Sequence, residues 1–425
     1  MKRLFTNGLR QFRYHFKENP SHAYAAPGRV EIIGNHVDYQ GGSVISLALE
    51  KYVLCLLRVN DANDKIKRGK VNVFLTAFKK MITFNISEIQ DDFIPKSTNS
   101  EDLYIKGLIA QIVFSQSREK ISLLENGFEA VVIGDIPIGE GVSSSAAFLV
   151  SLLTCILESI HLKLTFFEKI HLIRMTEHRI GNFAGHQDQT VSLTGGILLV
   201  KPEGQKPIPI KMHPNFEKFK FLLFRSGISR SLSDNNSQFA LRVAECNEAL
   251  KIINKYLLKH NLKTVLNISS LVDSYYSHAD IGSIYKFLNK NLAKRIKHIM
   301  EETKRVDKAY KAITNGKVEE FAQLLNESGE SSANLYEVSH PKVEELKKQI
   351  YNFFAKEKRK YIFAARMMGG GNGGMVLAFV PKEKKLIQRL QSYLRRNYYN
   401  QKKRDNFTPI EVTIIKGPIN LTKYI

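Results

Sequence analysis

The chain has 425 residues, of which 43% are hydrophobic, and it carries 63 Lys and Arg against 41 Asp and Glu. This length allows two domains, and this apolar content excludes a disordered chain. The basic excess does not indicate a nucleic-acid partner, because the basic residues are spread along the whole sequence and not gathered in one stretch.

Three features predict a cytoplasmic protein without a membrane partner, and the spread of the basic residues predicts no nucleic-acid partner. The cysteines Cys55, Cys155 and Cys246 are far apart and match no metal or redox spacing, which is typical of a reducing compartment. The longest nearly apolar run, residues 148–160, is too short to cross a bilayer. The first 16 residues include basic side chains but no continuous apolar region of the kind found in secretory signals.

The first Gly-rich stretch of the chain is "YAAPGRVEIIGNHVDYQGGSVISLALE". β-Branched and apolar residues predict strands at Val30–Ile33 and Val44–Leu49. Between and beside them lie several polar side chains of different character, namely Arg29, Glu31, Asn35, His36 and Asp38. Such a cluster suits a small polyhydroxylated ligand, while the alternative is a structural turn held by its own hydrogen bonds.

The second Gly-rich stretch follows a predicted buried strand, "FEAVVIGDIP", and precedes a predicted helix over residues 146–160. Gly139 and Gly141 allow backbone shapes that a Cβ would obstruct, and the serines at 143–145 stand where helix caps belong. Strand, loop and helix start together predict a phosphate site, with an ordinary turn as the alternative. It is not a Walker A loop, since the chain contains no Gly-Lys-Ser/Thr.

Helices and a third Gly-rich loop are predicted in the second half of the chain. Residues 237–258 and 283–313 each have the pattern of one amphipathic helix, and residues 381–396 that of a basic-faced helix with an apolar stripe. The loop Gly369–Gly374 immediately precedes a predicted strand at Met375–Val380. Because ordering so many glycines is entropically unfavourable, we expect this loop to pack closely against other backbone.

These three loops together resemble the motifs of one family. "RVEIIGNHVDY" resembles the galactokinase signature, "PIGEGVSSSAA" the second motif of that family, and "MMGGGNGG" its third. The resemblance covers roughly residues 20 to 380 and places the chain among the GHMP small-molecule kinases. It implies an α+β fold of two domains, 1–194 and 195–425, with the active site in the cleft between them.

The resemblance also implies roles for individual residues. The phosphates of ATP would contact Gly139, Gly141, Ser143, Ser144, Ser145 and Ala146. Ser145 and Glu177 match the residues that hold Mg²⁺, Asp188 matches the catalytic aspartate, and Arg29 matches the arginine beside it. The residues that match the sugar pocket are Asn35, His36, Asp38, Gly185 and Phe239. The implied activity is ATP-dependent phosphorylation of the C1 hydroxyl of galactose by a monomer.

Several positions depart from the family pattern, and we expect them to cluster in the sugar pocket. Asn35 stands where the family has Glu, and Glu31 stands where it has Asn. Phe239 replaces a Tyr after about two extra residues, and His186-Gln187 replaces Ile-Met. Two alternatives therefore stay open: a kinase of a related sugar, and a non-catalytic sugar sensor. The intact serines of the second motif disfavour the sensor.

Overall fold

The structure, a computed structural model, describes residues 1–89, 101–182, 185–229, 238–272, 278–399 and 408–425. Two stretches that matter for the sequence predictions lie outside the described residues. They are residues 231–237, which include the extra residues before Phe239, and residues 183–184 of the predicted catalytic motif.

The first part of the chain, together with the C-terminal strand β12 (Ile419–Asn420), builds a mixed sheet of eight strands in the order β12-β1-β2-β5-β3-β4, with β6 added to β2 and β7 added to β6. All its pairings are antiparallel except that of β3 with β5. Its elements up to residue 209 are α1 (Lys2–Phe16), β1 (His22–Ile33), β2 (Val44–Val59), β3 (Lys70–Leu75), β4 (Lys80–Asn85), α2 (Glu101–Ser115), α3 (Arg118–Ile121), β5 (Gly127–Gly134), α4 (Ser144–Ser159), α5 (Phe166–Arg179), α6 (Gln187–Thr194), β6 (Ile197–Val200) and β7 (Ile208–Pro209).

The two long strands β1 and β2 carry the first Gly-rich stretch. Both predicted strands are confirmed, and each is one end of a longer strand, β1 or β2. The pairing of β1 with β2 is shifted between Pro27 and Gly28. A Cβ at Gly28 would lie 2.6 Å from the carbonyl oxygen of Val142, so only glycine lets the second Gly-rich loop approach β1 here. Arg29 is thereby placed beside that loop.

The second part of the chain adds an antiparallel sheet of four strands, in the order β11-β8-β10-β9, and a group of helices. Its elements are β8 (Phe219–Arg225), α7 (Gln238–Lys259), α8 (His278–Phe287), α9 (Lys290–Thr314), α10 (Val318–Asn334), α11 (Pro341–Ala355), β9 (Ala364–Met367), β10 (Met375–Pro381), α12 (Lys384–Leu394), β11 (Ile410–Glu411) and β12 (Ile419–Asn420). Strands β6, β7 and β12 pair in the first sheet although they follow residue 194. The boundary between residues 194 and 195 stays a prediction.

One helix prediction is wrong in its continuity. The single helix predicted over residues 283–313 is two helices, because α8 ends at Phe287 and Asn289 caps the start of α9. Its side-chain oxygen accepts hydrogen bonds from the backbone N–H groups of Asn291 and Leu292, as an N-cap does. The helices predicted at 146–160, 237–258 and 381–396 correspond to α4, α7 and α12.

The two sheets share a hydrophobic core. One cluster of buried side chains runs from Ile33 and Ile45 in the first sheet to Val306 on α9 and Phe379 on β10. The α+β prediction is confirmed. Among the described helices, none is long and apolar enough to cross a membrane.

Candidate functional site

A cavity of about 240 Å³ lies where the C-terminal half of β1 meets the first turns of α4, α6 and α7. Most of the residues predicted for the active site line it. These are Arg29, Asn35, His36, Asp38, Gly139, Gly141, Ser143, Ser144, Ser145, Gly185, Asp188 and Phe239. The structure therefore brings together residues from the first and second Gly-rich loops, and the third loop contributes Gly369 and Gly370.

The cavity is not the largest depression described on the protein, so its volume alone would not identify it as the functional site. A larger surface groove of about 870 Å³ lies between α9, α10 and residues 360–363, and its walls carry Glu301, Glu319, Glu327 and Glu330. None of the residues predicted for the site lines it. The convergence of chemically different side chains, and not the volume, identifies the smaller cavity as the candidate site.

Asp188 is the centre of the hydrogen-bond network in the cavity. Its Oδ1 accepts a hydrogen bond from Nε of Arg29 at 2.7 Å and also lies 2.7 Å from Nη2 of the same guanidinium, as an ion pair. The remaining nitrogen of that guanidinium, Nη1, donates to the carbonyl oxygen of Gly141 at 2.8 Å. The hydroxyl of Ser143 donates to the other carboxylate oxygen, Oδ2. One carboxylate is thus held by the first motif and by the second motif at once.

The second Gly-rich loop has the backbone that its glycines predicted. Gly139 and Gly141 have φ values of 72° and 83°, in the left-handed region. Ser143, at φ 59°, is the N-cap residue of α4, as its position predicted, but its hydroxyl makes no cap hydrogen bond and bonds Asp188 instead. Without a side-chain cap, the helix start keeps backbone N–H groups and a partial positive charge available to an anion.

Two residues predicted for nucleotide and metal lie behind the cavity wall. Ala146 is completely buried in the first turn of α4. Glu177 is buried on α5 and accepts a hydrogen bond from the side chain of Gln189. Burial, reinforced by the negative charge of Asp188, raises the pKa of Glu177 to about 8. A cation would stabilise the ionised form of this buried carboxyl group, which is the chemistry that the Mg²⁺ role predicted for Glu177 and Ser145 requires.

No cluster of three or more His, Cys, Asp or Glu side chains suited to a metal occurs among the residues that the structure describes. An ion held at Ser145 and Glu177 would therefore need most of its oxygen ligands from phosphates and water. Mg²⁺ accepts such a set, because it keeps several waters and binds through one or two carboxylates plus substrate phosphates.

The polar side chains of the first motif are tied to the second part of the chain. The Nδ2 atom of Asn35 donates to Glu31 Oε1 at 3.0 Å and to the carbonyl oxygen of Gly369 at 2.8 Å. Glu31 in turn accepts from Nη2 of Arg366 on β9 at 2.9 Å. Burial raises the pKa of Glu31, while the Arg366 guanidinium acts in the opposite direction.

The backbone around Asn35 is held by α9. Glu302 Oε1 accepts from the backbone N–H groups of Gly34 and Asn35, at 2.9 and 3.1 Å. Burial acts to raise the pKa of Glu302, but Arg305 and further donors outweigh it and hold that pKa at about 2. His298 bonds the carbonyl oxygen of Asn35 through Nε2 at 3.0 Å. Burial lowers the pKa of His298 to about 4, so the ring is neutral and Nε2 carries its proton.

His36 is positioned by a chain of buried hydroxyl groups. Its Nδ1 bonds the Tyr39 hydroxyl at 2.8 Å, which bonds the Tyr336 hydroxyl at 2.9 Å. The Tyr336 hydroxyl also lies 3.3 Å from the Cys246 sulfur. The ring of Phe239 packs beside those of His36 and Tyr39, with both pairs of centroids 5.5 Å apart. Phe239 therefore forms an apolar wall where a Tyr would have offered a hydroxyl.

Asp38 and Gly185 are matched in shape. A Cβ at Gly185 would lie 2.0 Å from Asp38 Oδ2, so a larger residue could not occupy that position without displacing the carboxylate. Burial and the nearby Asp188 charge raise the pKa of Asp38 to about 6. Asp38 is therefore ionised at neutral pH and can accept hydrogen bonds from a ligand.

The sequence predictions about this region need one correction, and they missed several residues. His186 was expected in the sugar pocket, but its ring bonds the carbonyl oxygen of Lys201 at 2.9 Å and does not line the cavity. Tyr104 and Asn182 do line it and were not predicted. Arg366 was also missed, although a charged residue inside the apolar segment "YIFAARMM" was a usable signal. Glu302 lies in an ordinary amphipathic pattern, which contains no signal that this residue supports the site.

Three regions of the chain match models of known families. Residues 10–59 match the galactokinase galactose-binding signature. Residues 104–196 match the GHMP kinases N terminal domain, and residues 309–400 match the GHMP kinases C terminal. The first region contains the Arg29-to-Asp38 motif and the second contains the phosphate loop and Asp188.

Relatives and solved structures agree with these matches. The chain is 27% identical over 392 residues to the galactokinase of Clostridium tetani, covering 88% of each chain. It is 29% identical over 391 residues to the galactokinase of Thermosipho africanus, covering 88% of this chain and 93% of the relative. Lactococcus lactis galactokinase, solved with galactose, superposes with a TM-score of 0.78 at 22% identity over 97% of this chain and 98% of that one. The mevalonate kinase of Methanococcus jannaschii superposes with a TM-score of 0.60 at 19% identity, over 93% of this chain and 98% of that one. The chain has the two-domain GHMP kinase fold and belongs to the galactokinase family.

Proposed function

We propose that the protein transfers the γ-phosphoryl group of ATP to the anomeric C1 hydroxyl of galactose. The observation that carries the proposal is the position of Asp188, which is held by Arg29 of the sugar motif and by Ser143 of the phosphate loop in one cavity. A carboxylate in this place lies between the sugar motif and the phosphate loop, where the two reactants of a phosphoryl transfer would meet. The galactokinase relatives supply the identity of the sugar.

Asp188 acts on the proton of the attacking hydroxyl. Oδ2 accepts a hydrogen bond from the Ser143 hydroxyl. Because this O–H can rotate away, Oδ2 can then accept the proton of the sugar hydroxyl. Arg29 keeps the carboxylate in place through Oδ1. Because the guanidinium also contacts Gly141 of the phosphate loop, its positive charge lies where negative charge moves during transfer.

The phosphates lie at the loop of residues 139–145 and the start of α4. Glycine backbone N–H groups and the helix N-terminus hold the anionic groups, and Ser144 and Ser145 add hydroxyl donors. Ser145 and Glu177 would hold a Mg²⁺ ion, which would neutralise charge on the phosphates. Ala146 supports this loop from the core side.

Galactose occupies the opposite half of the cavity. Asp38, His36 and Asn35 offer hydrogen bonds to its hydroxyl groups, and Phe239 packs against its apolar surface. Gly185 leaves the space that Asp38 needs. None of the relatives named above favours a kinase of a related sugar or a sugar sensor. A monomeric state, a cytoplasmic location and domains 1–194 and 195–425 complete the proposal; the three cysteines, all free and buried, agree with a reducing compartment.

A sugar panel tests the proposal. ADP release is followed with ATP, Mg²⁺ and each of several hexoses, and the phosphorylated carbon of the product is identified by NMR. Galactose should give the highest kcat/KM, and its product should carry the phosphate on C1. Chelation by EDTA should stop turnover, and Ser145→Ala should raise the Mg²⁺ concentration needed for half-maximal rate. Turnover of another hexose in preference to galactose would contradict the assigned substrate.

A further inference from the structure

Asn35 has all but one of its hydrogen-bonding groups committed to the protein. Its backbone N–H donates to Glu302, its backbone carbonyl accepts from His298, and its Nδ2 donates to both Glu31 and Gly369. The remaining group, Oδ1, is buried and has no hydrogen-bond partner within the described part of the chain. A buried carbonyl oxygen without a partner is unfavourable, so this atom is ready to accept a hydrogen bond from a ligand in the cavity.

The orientation of the Asn35 amide is fixed by the chemistry of its neighbours. The two groups that contact Nδ2 are a carboxylate and a backbone carbonyl, and both can only accept hydrogen bonds. Turning the amide over would place Oδ1 against two oxygens and would break both bonds. The side chain therefore keeps Nδ2 towards the protein and Oδ1 as its free acceptor.

Glu31 can fix the amide because it is itself held in place. Glu31 is 3% exposed and Arg366 is fully buried, and the two are joined at 2.9 Å between Oε1 and Nη2. The second terminal nitrogen of Arg366 donates to the carbonyl oxygen of Ile32 at 2.6 Å. Separating such a pair would leave a buried charge without a partner, which is strongly unfavourable.

We propose that Glu31 and Arg366 are positioning residues for sugar recognition, which fix the Asn35 amide so that a neutral oxygen, Oδ1, meets one hydroxyl of the sugar. The proposal rests on the proposed function, because it assigns the Asn35 side of the cavity to the sugar. At one carbon of the sugar, the pocket then requires a hydroxyl group that donates a hydrogen bond to Asn35 Oδ1. Fluorine cannot donate, so replacing that hydroxyl by fluorine is as harmful as removing it.

A series of sugar analogues tests this inference on the wild-type enzyme. Each galactose hydroxyl other than the reacting one is replaced in turn by hydrogen and by fluorine, and kcat/KM is measured for every analogue with Mg-ATP. At one carbon both replacements should lower kcat/KM by a similar factor of about 2–12, the value of one neutral hydrogen bond. In Asn35→Ala the two penalties at that carbon should both disappear. Penalties that survive Asn35→Ala would overturn the proposal.

The positioning role is tested by Glu31→Met/Arg366→Met. This double variant removes both buried charges together, which proteins often tolerate, and it leaves Gly369 as the remaining partner of Nδ2 in this group. The amide can then turn and present Nδ2 to the sugar. The fluorine penalty, which is the factor by which fluorine at that carbon lowers kcat/KM, should therefore fall towards 1, while the KM for ATP is unchanged. Lys347→Met is the matched control, since it removes a buried cation on α11 whose partners Glu330 and Glu344 lie outside the cavity; its fluorine penalty should equal that of the wild type.

A second variant keeps the test decisive if the double variant does not fold. In Glu31→Gln one side-chain oxygen can still accept from both Asn35 and Arg366, as Oε1 does now, so the fluorine penalty should remain. Loss of the penalty in Glu31→Gln, or an unchanged penalty in a folded double variant, would overturn the positioning role.

If another hexose replaces galactose as the best substrate, the proposed substrate is wrong and the series is repeated on that hexose. If no hexose is bound or phosphorylated, both proposals are overturned.

Discussion

The two halves of the cavity, which we assign to the phosphates and to the sugar, are built in different ways. The phosphate half is one contiguous stretch, residues 139–145, whose binding groups are mainly backbone N–H groups at the start of α4. The sugar half consists of side chains from β1, the turn after it and α7, and these are held by Arg366, Glu302 and Tyr336 from distant parts of the chain. Backbone recognition depends on the residues that set the backbone conformation, whereas side-chain recognition can be rebuilt with other residues if a new partner supports them.

This difference explains where the chain departs from its family. The phosphate loop keeps the glycines and serines of the motif, because its backbone conformation depends on them. The sugar half contains the exchange of Asn35 and Glu31, which is tolerated because Arg366 neutralises the carboxylate in its new position. The predictions below test the junction between the two halves first and the sugar half afterwards.

The largest effect is expected at the junction, in Asp188→Asn. The amide cannot accept the proton of the sugar hydroxyl, so kcat should fall by about 10² to 10⁴, the range for loss of a general base. The thermal unfolding midpoint and the KM for ATP should change little. Asp135→Asn is a control outside the cavity, on a half-exposed carboxylate that bonds the backbone of Tyr52. Turnover of the Asp188 variant within threefold of wild type would remove this residue from the catalytic role.

A large effect confined to the sugar half is expected for Gly185→Ala. The added Cβ would meet Asp38 Oδ2 at 2.0 Å and must displace that carboxylate. Loss of one charged hydrogen bond should lower kcat/KM for galactose by about 10- to 150-fold, while the KM for ATP stays close to wild type. Gly282→Ala is the matched control, since a Cβ there meets nothing within 4 Å. Equal changes in the two KM values would show that the halves are not independent.

A smaller effect is expected from Asn35→Glu, which would place a second carboxylate against Glu31. The two like charges should lower kcat/KM by about tenfold, or about 1.4 kcal/mol. The double variant Asn35→Glu/Glu31→Asn restores one carboxylate and one amide and should recover part of the lost kcat/KM, because it removes the like-charge contact but also takes from Arg366 the carboxylate that it bonds. A double-mutant cycle on kcat/KM measures the coupling. Additive effects would show that the two side chains do not interact.

The smallest effect is a pH dependence from Asp38, whose pKa is raised to about 6 by burial and by Asp188. As the pH falls through this value, the carboxylate gains a proton and loses its acceptor capacity, so the KM for galactose should rise by about fourfold between pH 7.5 and 5.5. The rise should be absent in Asp38→Asn. A KM for ATP that rises in parallel would point to a group outside the sugar half.

Local sequence determined much of this protein. The strands at Val30–Ile33 and Val44–Leu49, the Gly–Ser loop before α4 and the Gly-rich loop before β10 each follow from short patterns, because backbone conformation and burial depend mostly on neighbouring residues. Asp188 and Arg29 were predicted from motifs, and both line the cavity. Local patterns failed at Asn289, where a side-chain cap divides one amphipathic pattern into two helices.

The partners of the sugar half were decided only by the tertiary structure. Arg366 lies 335 positions from Glu31, and Glu302 lies 267 positions from Asn35. No local pattern can link residues so far apart. In the sequence of an amphipathic helix, a buried carboxylate such as Glu302 cannot be distinguished from one on the surface. Ser143 gives the same lesson, because its position predicted a helix cap whereas the fold brings Asp188 within reach of its hydroxyl. A side chain takes whichever partner the packing supplies, and the sequence alone does not specify that partner.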